Sequence, residues 1–202
     1  MNTVEPIRDM DLILDIADWL RDKKTTGPRD YALFMSGIHL GRRISDILGL
    51  RVRDIKDKSH IYLREDKTNK EARILINEEL QDVYKEYLEI TGLRDSDFMF
   101  GNSKPKTNKK TKKATRAKPI SRQRVWQILN EAADNFEYKD NIGCHTLRKT
   151  FGFWLYQETK DAVGIQELLN HKDISVTKRY IGITQDSKDK MVRGLSFRKK
   201  RR

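Results

Sequence analysis

The sequence has one cysteine, no long apolar run and no basic leader followed by apolar residues. The lone cysteine, Cys144, excludes an internal disulfide, which fits a reducing cytoplasm. No apolar stretch approaches the roughly 18 residues that a membrane span requires. The first twenty residues carry five acidic side chains where a secretory signal would be basic and then apolar. These absences predict a cytoplasmic protein rather than a secreted or membrane-bound one.

The chain carries a net charge of +12, and much of it lies in residues 101–119, a basic stretch without acidic residues. This stretch holds eight positive residues, and the C-terminal residues 198–202 hold five more. Without these thirteen, 29 basic residues face 30 acidic ones, so the rest of the chain is nearly neutral. Such concentrated positive charge favours a polyanionic partner. The eight residues are Lys104, Lys106, Lys109, Lys110, Lys112, Lys113, Arg116 and Lys118.

A chain of 202 residues can bury a hydrophobic core. We expect one domain over residues 1–197 and a basic tail at 198–202. Residues 101–119 lack periodicity and large apolar side chains, which predicts a flexible basic loop within the domain. Elsewhere the apolar residues recur mostly at helical spacing. Helices are predicted at 9–24, 31–38, 43–48, 77–92, 121–135, 146–158, 162–169, 175–181 and 187–192.

Three short runs favour β-strands, at residues 52–55, 60–63 and 72–76. The last two are rich in β-branched or aromatic side chains, and a turn at residues 67–70 would join them into a hairpin. Together with the helices, these runs predict a mainly α fold with a small antiparallel β-sheet.

The last third of the chain contains an ordered set of side chains suited to binding phosphate. His145 and Arg148 are three residues apart, so on a helix they share a face and a single anion could touch both. His171 follows, and Tyr180 lies nine residues after it. Upstream, Arg43 lies at the start of a predicted helix, and Lys67 lies between two predicted strands.

In this order the residues resemble the tyrosine recombinases, the phage integrase family of DNA strand-exchange enzymes, over about residues 30–195. The resemblance implies the catalytic-domain fold of that family. It also implies cleavage and rejoining of double-stranded DNA through a 3′-phosphotyrosine intermediate, for integration, excision or inversion. The residues that match the family's catalytic set are Arg43, Lys67, His145, Arg148, His171 and Tyr180.

The two arginines suit the neutralisation of charge on a reacting phosphate, because a guanidinium is a planar fork of donors that stays charged. By the resemblance, Arg43 and Arg148 have this role, and Asp46 orients the arginines as a supporting carboxylate. A phenol attacks well only where cations and a base assist the loss of its proton. The resemblance makes Tyr180 this nucleophile.

The resemblance also implies roles for the remaining members of the set. Lys67 would be the general acid that protonates the departing 5′ oxygen. His145 would assist proton transfer at the nucleophile, and His171 would hydrogen-bond the phosphate. No nucleotide cofactor is expected, because the phosphotyrosine bond retains the energy needed for rejoining. No metal ion is expected either, because the two arginines can neutralise the charge on the phosphate.

Some assignments have alternatives within the sequence. Arg42 is a rival of Arg43, although the Ile-Ser-Asp that follows aligns Arg43 better with the family's pattern. Lys70 is an alternative to Lys67. Arg43 could also pair with Asp46 on a solvated helix face, the usual situation of such charges.

The partner that the resemblance implies is double-stranded DNA. The basic loop is expected to fold onto backbone phosphates when DNA binds. Only about 40 residues precede Arg43, so the separate DNA-clamping domain of many relatives is not expected, and self-association on DNA, from dimer to tetramer, would compensate. We expect a bacterial or phage-encoded, nucleoid-associated protein of the size of the fimbrial-switch recombinases. A non-catalytic DNA-binding protein and a relaxing, topoisomerase-like enzyme are the rival functions.

Overall fold

The chain folds as a series of helices interrupted by one β-hairpin. A computed structural model describes residues 4–64, 71–101, 118–182, 189 and 192–193. The chain forms two compact units, residues 1–151 and 152–202. The first unit contains α1 (Met10–Arg21), α2 (Gly27–Leu40), α3 (Ile44–Leu48), α4 (Val52–Ile55), β1 (His60–Arg64), β2 (Glu71–Leu75), α5 (Glu78–Thr91), α6 (Arg122–Asn135) and the start of α7 (Cys144–Thr159). The second contains the rest of α7, α8 (Ala162–Leu168) and α9 (Ile174–Tyr180).

Side-chain caps fix where several helices begin. Asp9 accepts hydrogen bonds from the first turn of α1, Asn77 does so for α5 and Ser121 does so for α6. The predicted apolar face of α1 is buried, and so is that of α6. The predicted helices of the described ranges are therefore confirmed, with ends that differ by a few residues.

Strands β1 and β2 pair antiparallel, as the hairpin prediction requires. The register places His60 opposite Leu75 and Arg64 opposite Glu71. Ile61 and its partner Ile74 are buried, whereas Tyr62 on the other face is 72 % exposed. The hairpin therefore packs one face inward by the usual two-residue alternation. Its predicted turn, with Lys67, lies outside the described residues.

Residues 52–55 were predicted as a strand, and this prediction is wrong because they form α4. Val52 and Ile55 are both buried three residues apart, which a helical turn permits and an alternating strand does not. Asp54 accepts a hydrogen bond from the backbone N–H of Arg51 at 2.8 Å. This local side-chain bond stabilises the helical turn and outweighs the β propensity of Val52 and Ile55.

Helix α2 forms the centre of the first unit, where it is largely buried between α1 and α5. Its backbone comes so close to α7 that a Cβ at Gly37 would lie 2.8 Å from Leu147 Cβ. The helix ends at Gly41, which has φ of +60° and faces the ring of Phe151. A glycine is needed there because a side chain would be strained and would overlap that ring. Gly41 thus directs the chain into Arg42 and Arg43.

The mainly α fold with a small antiparallel sheet is confirmed by these elements. No helix within the described ranges is long and apolar enough to cross a membrane. The basic loop up to residue 117, the tail at 198–202 and most of the predicted helix at 187–192 lie outside the described residues. The single domain at 1–197 stays a prediction.

Candidate active site

Arg43 is placed by the turn between α2 and α3. It is the N-cap residue of α3, and its carbonyl accepts hydrogen bonds from the backbone N–H groups of Asp46 and Ile47 at 2.9 and 3.1 Å. The residue is half-buried, whereas Arg42 is buried. One turn on, Asp46 is buried with both carboxylate oxygens inaccessible to solvent. Asp46 therefore lies one turn after Arg43 with its carboxylate buried, and its supporting role stays a prediction.

The first turn of α7 holds the predicted histidine and arginine. The helix begins at Cys144, and the hydroxyl of Thr146 accepts a hydrogen bond from the backbone N–H of Gly143 at 3.1 Å. This bond satisfies an N–H that would otherwise lack a partner at the helix start. His145 is exposed, whereas Arg148 is only 2 % exposed. A deep guanidinium and a shallow imidazole therefore lie on one face, as the spacing predicts.

The charges around His145 show which cations surround it. Burial of the ring is the largest cause that lowers the pKa of His145, followed by the charges of Arg122, Arg148, Arg43 and Lys149. The residue as a whole is exposed, and the four cations lower its pKa in the same direction as burial does. The imidazole is thus kept neutral near pH 7 and can accept a proton. The predicted Arg43, His145 and Arg148 share one cationic cluster.

Arg122 is a member of this cluster that sequence reasoning missed. It is the first residue of α6, after the Ser121 cap, and is exposed. Its carbonyl accepts a hydrogen bond from Cys144 Sγ at 3.5 Å. No motif in the sequence connects Arg122 with a histidine 23 residues later, so only the packing of α6 beside the start of α7 reveals it.

A second missed feature is the N-terminal strap, residues 4–8, which lies along the start of α7. Lys149 Nζ donates a hydrogen bond to the carbonyl of Val4 at 2.8 Å. The backbone N–H of Ile7 donates to Thr150 Oγ1 at 2.9 Å, and both residues are buried. The strap therefore fixes the helix that carries His145 and Arg148. Extended segments without periodicity give no sequence signal for such contacts.

In the second unit, His171 is fixed by the way α8 ends. Asn170 adopts φ of +51°, a left-handed conformation that asparagine tolerates better than most residues. The next N–H, that of His171, donates to Gln166 O at 3.0 Å, and the N–H of Asn170 donates to Glu167 O at 2.9 Å. These two bonds form the usual hydrogen-bonded end of an α-helix. Gln166 Nε2 also donates to His171 O at 3.1 Å, so the histidine backbone is held twice.

The imidazole of His171 and the phenol of Tyr180 are neighbours. Tyr180 is the last residue of α9, and the two ring centroids lie 4.7 Å apart at an interplanar angle of 74°. This edge-to-face geometry is a favourable arrangement for two aromatic rings. Nδ1 of His171 also lies 2.9 Å from Thr177 Oγ1, a fully buried hydroxyl. The structure thus brings together the predicted His171 and Tyr180 and adds Thr177.

Most of the remaining predicted site residues lie outside the described residues. Lys67 and its alternative Lys70 lie outside the described residues, and so do the basic-loop residues up to Arg116. Lys118 is described and is exposed. Among the described residues, no group of three His, Cys, Asp or Glu side chains could hold a metal ion. The prediction that neither metal nor cofactor takes part stays a prediction.

Comparisons with known proteins show the family to which the chain belongs. The Phage integrase family matches residues 8–186. The "Probable integrase/recombinase YoeC" of Bacillus subtilis is 41 % identical over 187 residues, which cover 93 % of this chain and 94 % of that protein. The "Tyrosine recombinase XerD" of Corynebacterium glutamicum is 29 % identical over 82 % of this chain and 52 % of its own. The chain spans about half the length of the XerC and XerD relatives it matches.

Solved structures have the same fold. A crystal structure of XerA recombinase has a TM-score of 0.72 at 17 % identity and covers 98 % of this chain and 67 % of its own. The catalytic domain of bacteriophage HP1 integrase has a TM-score of 0.58 at 16 % identity, with 98 % and 99 % covered. These matches confirm the predicted fold, and the sequence matches confirm the predicted family and its class of enzyme. The chain belongs to the phage integrase family, the tyrosine recombinases.

Proposed function

We propose that the chain is a site-specific DNA recombinase that cuts and rejoins double-stranded DNA through a 3′-phosphotyrosine intermediate. The observation that carries the proposal is the edge-to-face contact between His171 and Tyr180, 4.7 Å apart, in a chain of the tyrosine recombinase family. The names of its relatives add support, since several are integrases or recombinases. One solved structure of the same fold shows XerH site-specific recombinase bound to palindromic difH substrate in a post-cleavage complex.

The reaction begins with attack of the Tyr180 phenol oxygen on a backbone phosphorus. A bond forms between that oxygen and phosphorus, the bond from phosphorus to the 5′ oxygen breaks, and the phenol proton passes to a base. His145 is suited to assist this transfer, because it stays neutral among cations. His171 donates a hydrogen bond to the phosphate and keeps the phenol in place by its ring contact.

Negative charge grows on the non-bridging phosphate oxygens during this attack. Arg43 and Arg148 stabilise that charge, and loss of one such donor typically costs on the order of 10²- to 10³-fold in rate. Arg148 is suited to this because a buried guanidinium is already desolvated and oriented. Asp46 orients the arginines.

The departing 5′ oxygen needs a proton, and Lys67 supplies it as the general acid. The cut strand then carries a phosphotyrosine ester, and the free 5′-hydroxyl of a partner strand attacks it in the reverse sense. The phenol leaves and recovers its proton. The ester retains the energy of the original bond, so rejoining needs no nucleotide cofactor.

The partner in this reaction is double-stranded DNA, and several protomers assemble on it. The basic loop, residues 101–119, contributes backbone contacts, so deletion of residues 104–118 should flatten the dependence of affinity on salt. An unchanged slope would remove the loop from the interface. Light scattering with and without DNA tests assembly, since a strictly monomeric complex contradicts it. In the cell we place the protein on the nucleoid.

Covalent trapping tests the proposed reaction on any DNA that contains the target, whatever its sequence. The protein is mixed with sheared DNA of the organism that encodes it, denatured with detergent, and the DNA that stays attached is sequenced. We expect attached fragments that end at a common sequence. Tyr180→Phe should abolish attachment while DNA binding remains, and Tyr156→Phe, a matched change in the same unit, should leave it intact. DNA binding without attachment in the unaltered protein would favour a non-catalytic binder.

A further inference from the structure

Arg122 lies where two helices begin side by side. It is the first residue of α6, which runs for 14 residues, and its carbonyl accepts a hydrogen bond from Cys144 Sγ at 3.5 Å. Cys144 opens α7 and directly precedes His145. The start of α6 is therefore in contact with the turn that carries the candidate active-site histidine.

The next turn of α6 makes a second contact with the same segment. A Cβ built on Gly143 would lie 3.6 Å from Trp126 Cδ1, an ordinary van der Waals distance. Trp126 is one turn after Arg122 on the same face of α6, and it is 45 % exposed. These two neighbouring turns place the backbone of Arg122 beside residues 143–144, directly before His145.

Arg122 is one of the four cations whose charges act on His145. Together with Arg148, Arg43 and Lys149, it lowers the pKa of His145. Its side chain is exposed, whereas Arg148 is 2 % exposed and Arg43 is half-buried. Arg122 therefore lies at the rim of the cluster, on the side that faces solvent.

We propose that Arg122 is a further DNA-contacting residue of this site, which binds the backbone phosphate next to the one that reacts. The inference rests on the proposed function, because it takes DNA as the substrate. A guanidinium at the rim can donate two parallel hydrogen bonds to one phosphate, and the start of α6 adds a partial positive charge. The contact would hold the strand in register with Arg43 and Arg148.

Binding of a phosphate at Arg122 would also change the pKa of His145. The charged groups that act on its ring are Arg122 from α6, Arg43 from the start of α3, and Arg148 and Lys149 from α7. A phosphate bound by Arg122 offsets part of this positive charge, so DNA binding should raise the pKa of His145. The imidazole then becomes a stronger proton acceptor only when a strand is in place.

The matched control for Arg122 is Arg124, two residues later on the same helix. Arg124 Nη1 lies 3.0 Å from Glu131 Oε1, within a salt bridge on the solvent side. Arg122→Gln and Arg124→Gln remove the same charge from the same turn of α6. Arg122→Lys keeps the charge and loses the planar fork.

Three measurements on the full chain test the inference: the salt dependence of DNA affinity, the pKa of His145 by NMR, and the rate of covalent trapping. Arg122→Gln should weaken affinity by about 10-fold at low salt, and it should reduce the slope of log affinity against log salt by about one. It should also raise the pKa of His145 in the free protein and slow trapping. Arg124→Gln should change none of these, and Arg122→Lys should restore the slope and the pKa.

A substrate with one neutral methylphosphonate identifies the phosphate involved. When the neutral group replaces the phosphate next to the reacting one, the unaltered protein should lose trapping rate and Arg122→Gln should lose no more. Equal behaviour of the Arg122→Gln and Arg124→Gln proteins in slope and pKa would overturn the inference. Failure of the unaltered protein to trap any DNA would instead overturn the proposed function, because the slope and the pKa are measured without cleavage.

Discussion

The Nδ1 atom of His171 lies 2.9 Å from the hydroxyl of Thr177, within the second unit. Thr177 is fully buried in the middle of α9, one turn before Tyr180, whose ring meets His171 edge to face. The hydrogen bond fixes one ring nitrogen of the histidine and therefore sets the direction of the other. Thr177 thus joins the candidate phosphate ligand to the helix that carries the candidate nucleophile.

Loss of the Thr177 hydroxyl should impair the reaction more than the fold. In Thr177→Val the shape is retained but His171 loses the atom that orients it, so covalent trapping should slow by roughly 10- to 100-fold. Thr177→Ser keeps the hydroxyl and should retain most of the rate. The trapping rates of the unaltered protein and the two variants are measured at equal DNA occupancy. If valine and serine slow the reaction equally, the hydroxyl does not orient the histidine.

Two helical glycines should respond in opposite ways to alanine. A Cβ at Gly37 would overlap the side chain of Leu147, with 2.8 Å to its Cβ, whereas a Cβ at Gly152 finds its nearest neighbour, Leu169 Cδ1, at 3.4 Å. Gly37→Ala should therefore cost about 1–3 kcal/mol of unfolding free energy. Gly152→Ala should be neutral or stabilise by up to about 1 kcal/mol, because alanine favours the helix.

Urea unfolding of the two glycine variants measures these changes. Gly37→Ala should also slow covalent trapping, because Leu147 lies between His145 and Arg148 on α7. If Gly37→Ala proves as stable as Gly152→Ala, α2 and α7 do not approach each other closely enough to exclude a methyl group at Gly37.

The protonation of His145 should make stability fall in acid. Burial and four neighbouring cations lower its folded pKa below the ordinary histidine value of about 6.5. The stability that the neutral His145 contributes is therefore fully present above the pKa of the unfolded state. It is lost as the pH falls through the lowered pKa of the folded state. Unfolding free energies of the unaltered protein and of His145→Asn are compared between about pH 7.5 and 5, a range that spans the ordinary histidine pKa. The unaltered protein should lose stability relative to the variant, and parallel curves would contradict the shift.

The N-terminal strap should loosen when its buried hydrogen bond is removed. In Thr150→Val the N–H of Ile7 loses its acceptor, and such a buried unsatisfied group costs about 1–3 kcal/mol. Thr150→Ser keeps the acceptor and should cost less. Hydrogen exchange of the Ile7 amide should accelerate in the valine variant and not in the serine variant. Equal protection in both would show that the strap is held by other contacts.

The sequence predicts much of the fold because the helices combine a clear period with local caps. Asn77, Ser121 and the apolar face of α1 each carry information within a few residues. The prediction fails at Val52–Ile55, where four residues are too few to separate a helical turn from a strand. There the hydrogen bond between Asp54 and the Arg51 backbone decides the structure.

Some residues of the candidate site can be found from the sequence, and others only from the folded structure. Arg43, His145, Arg148, His171 and Tyr180 are found from residue type, spacing and family resemblance, and their catalytic roles stay proposals. Arg122 and Thr177 are not found, because each acts through a contact made by folding and belongs to no local pattern. The strap is missed for the same reason, since Val4 and Lys149 are 145 residues apart.

The site of covalent attachment tests the central claim most directly. The protein is trapped on nicked double-stranded DNA that carries its target sequence, digested with nuclease and protease, and examined by mass spectrometry. A nucleotide should remain on the peptide that contains Tyr180, attached to the phenol oxygen, and Tyr156 should carry none. A nucleotide found on another residue, or found on no residue while the DNA is cut, would contradict the account.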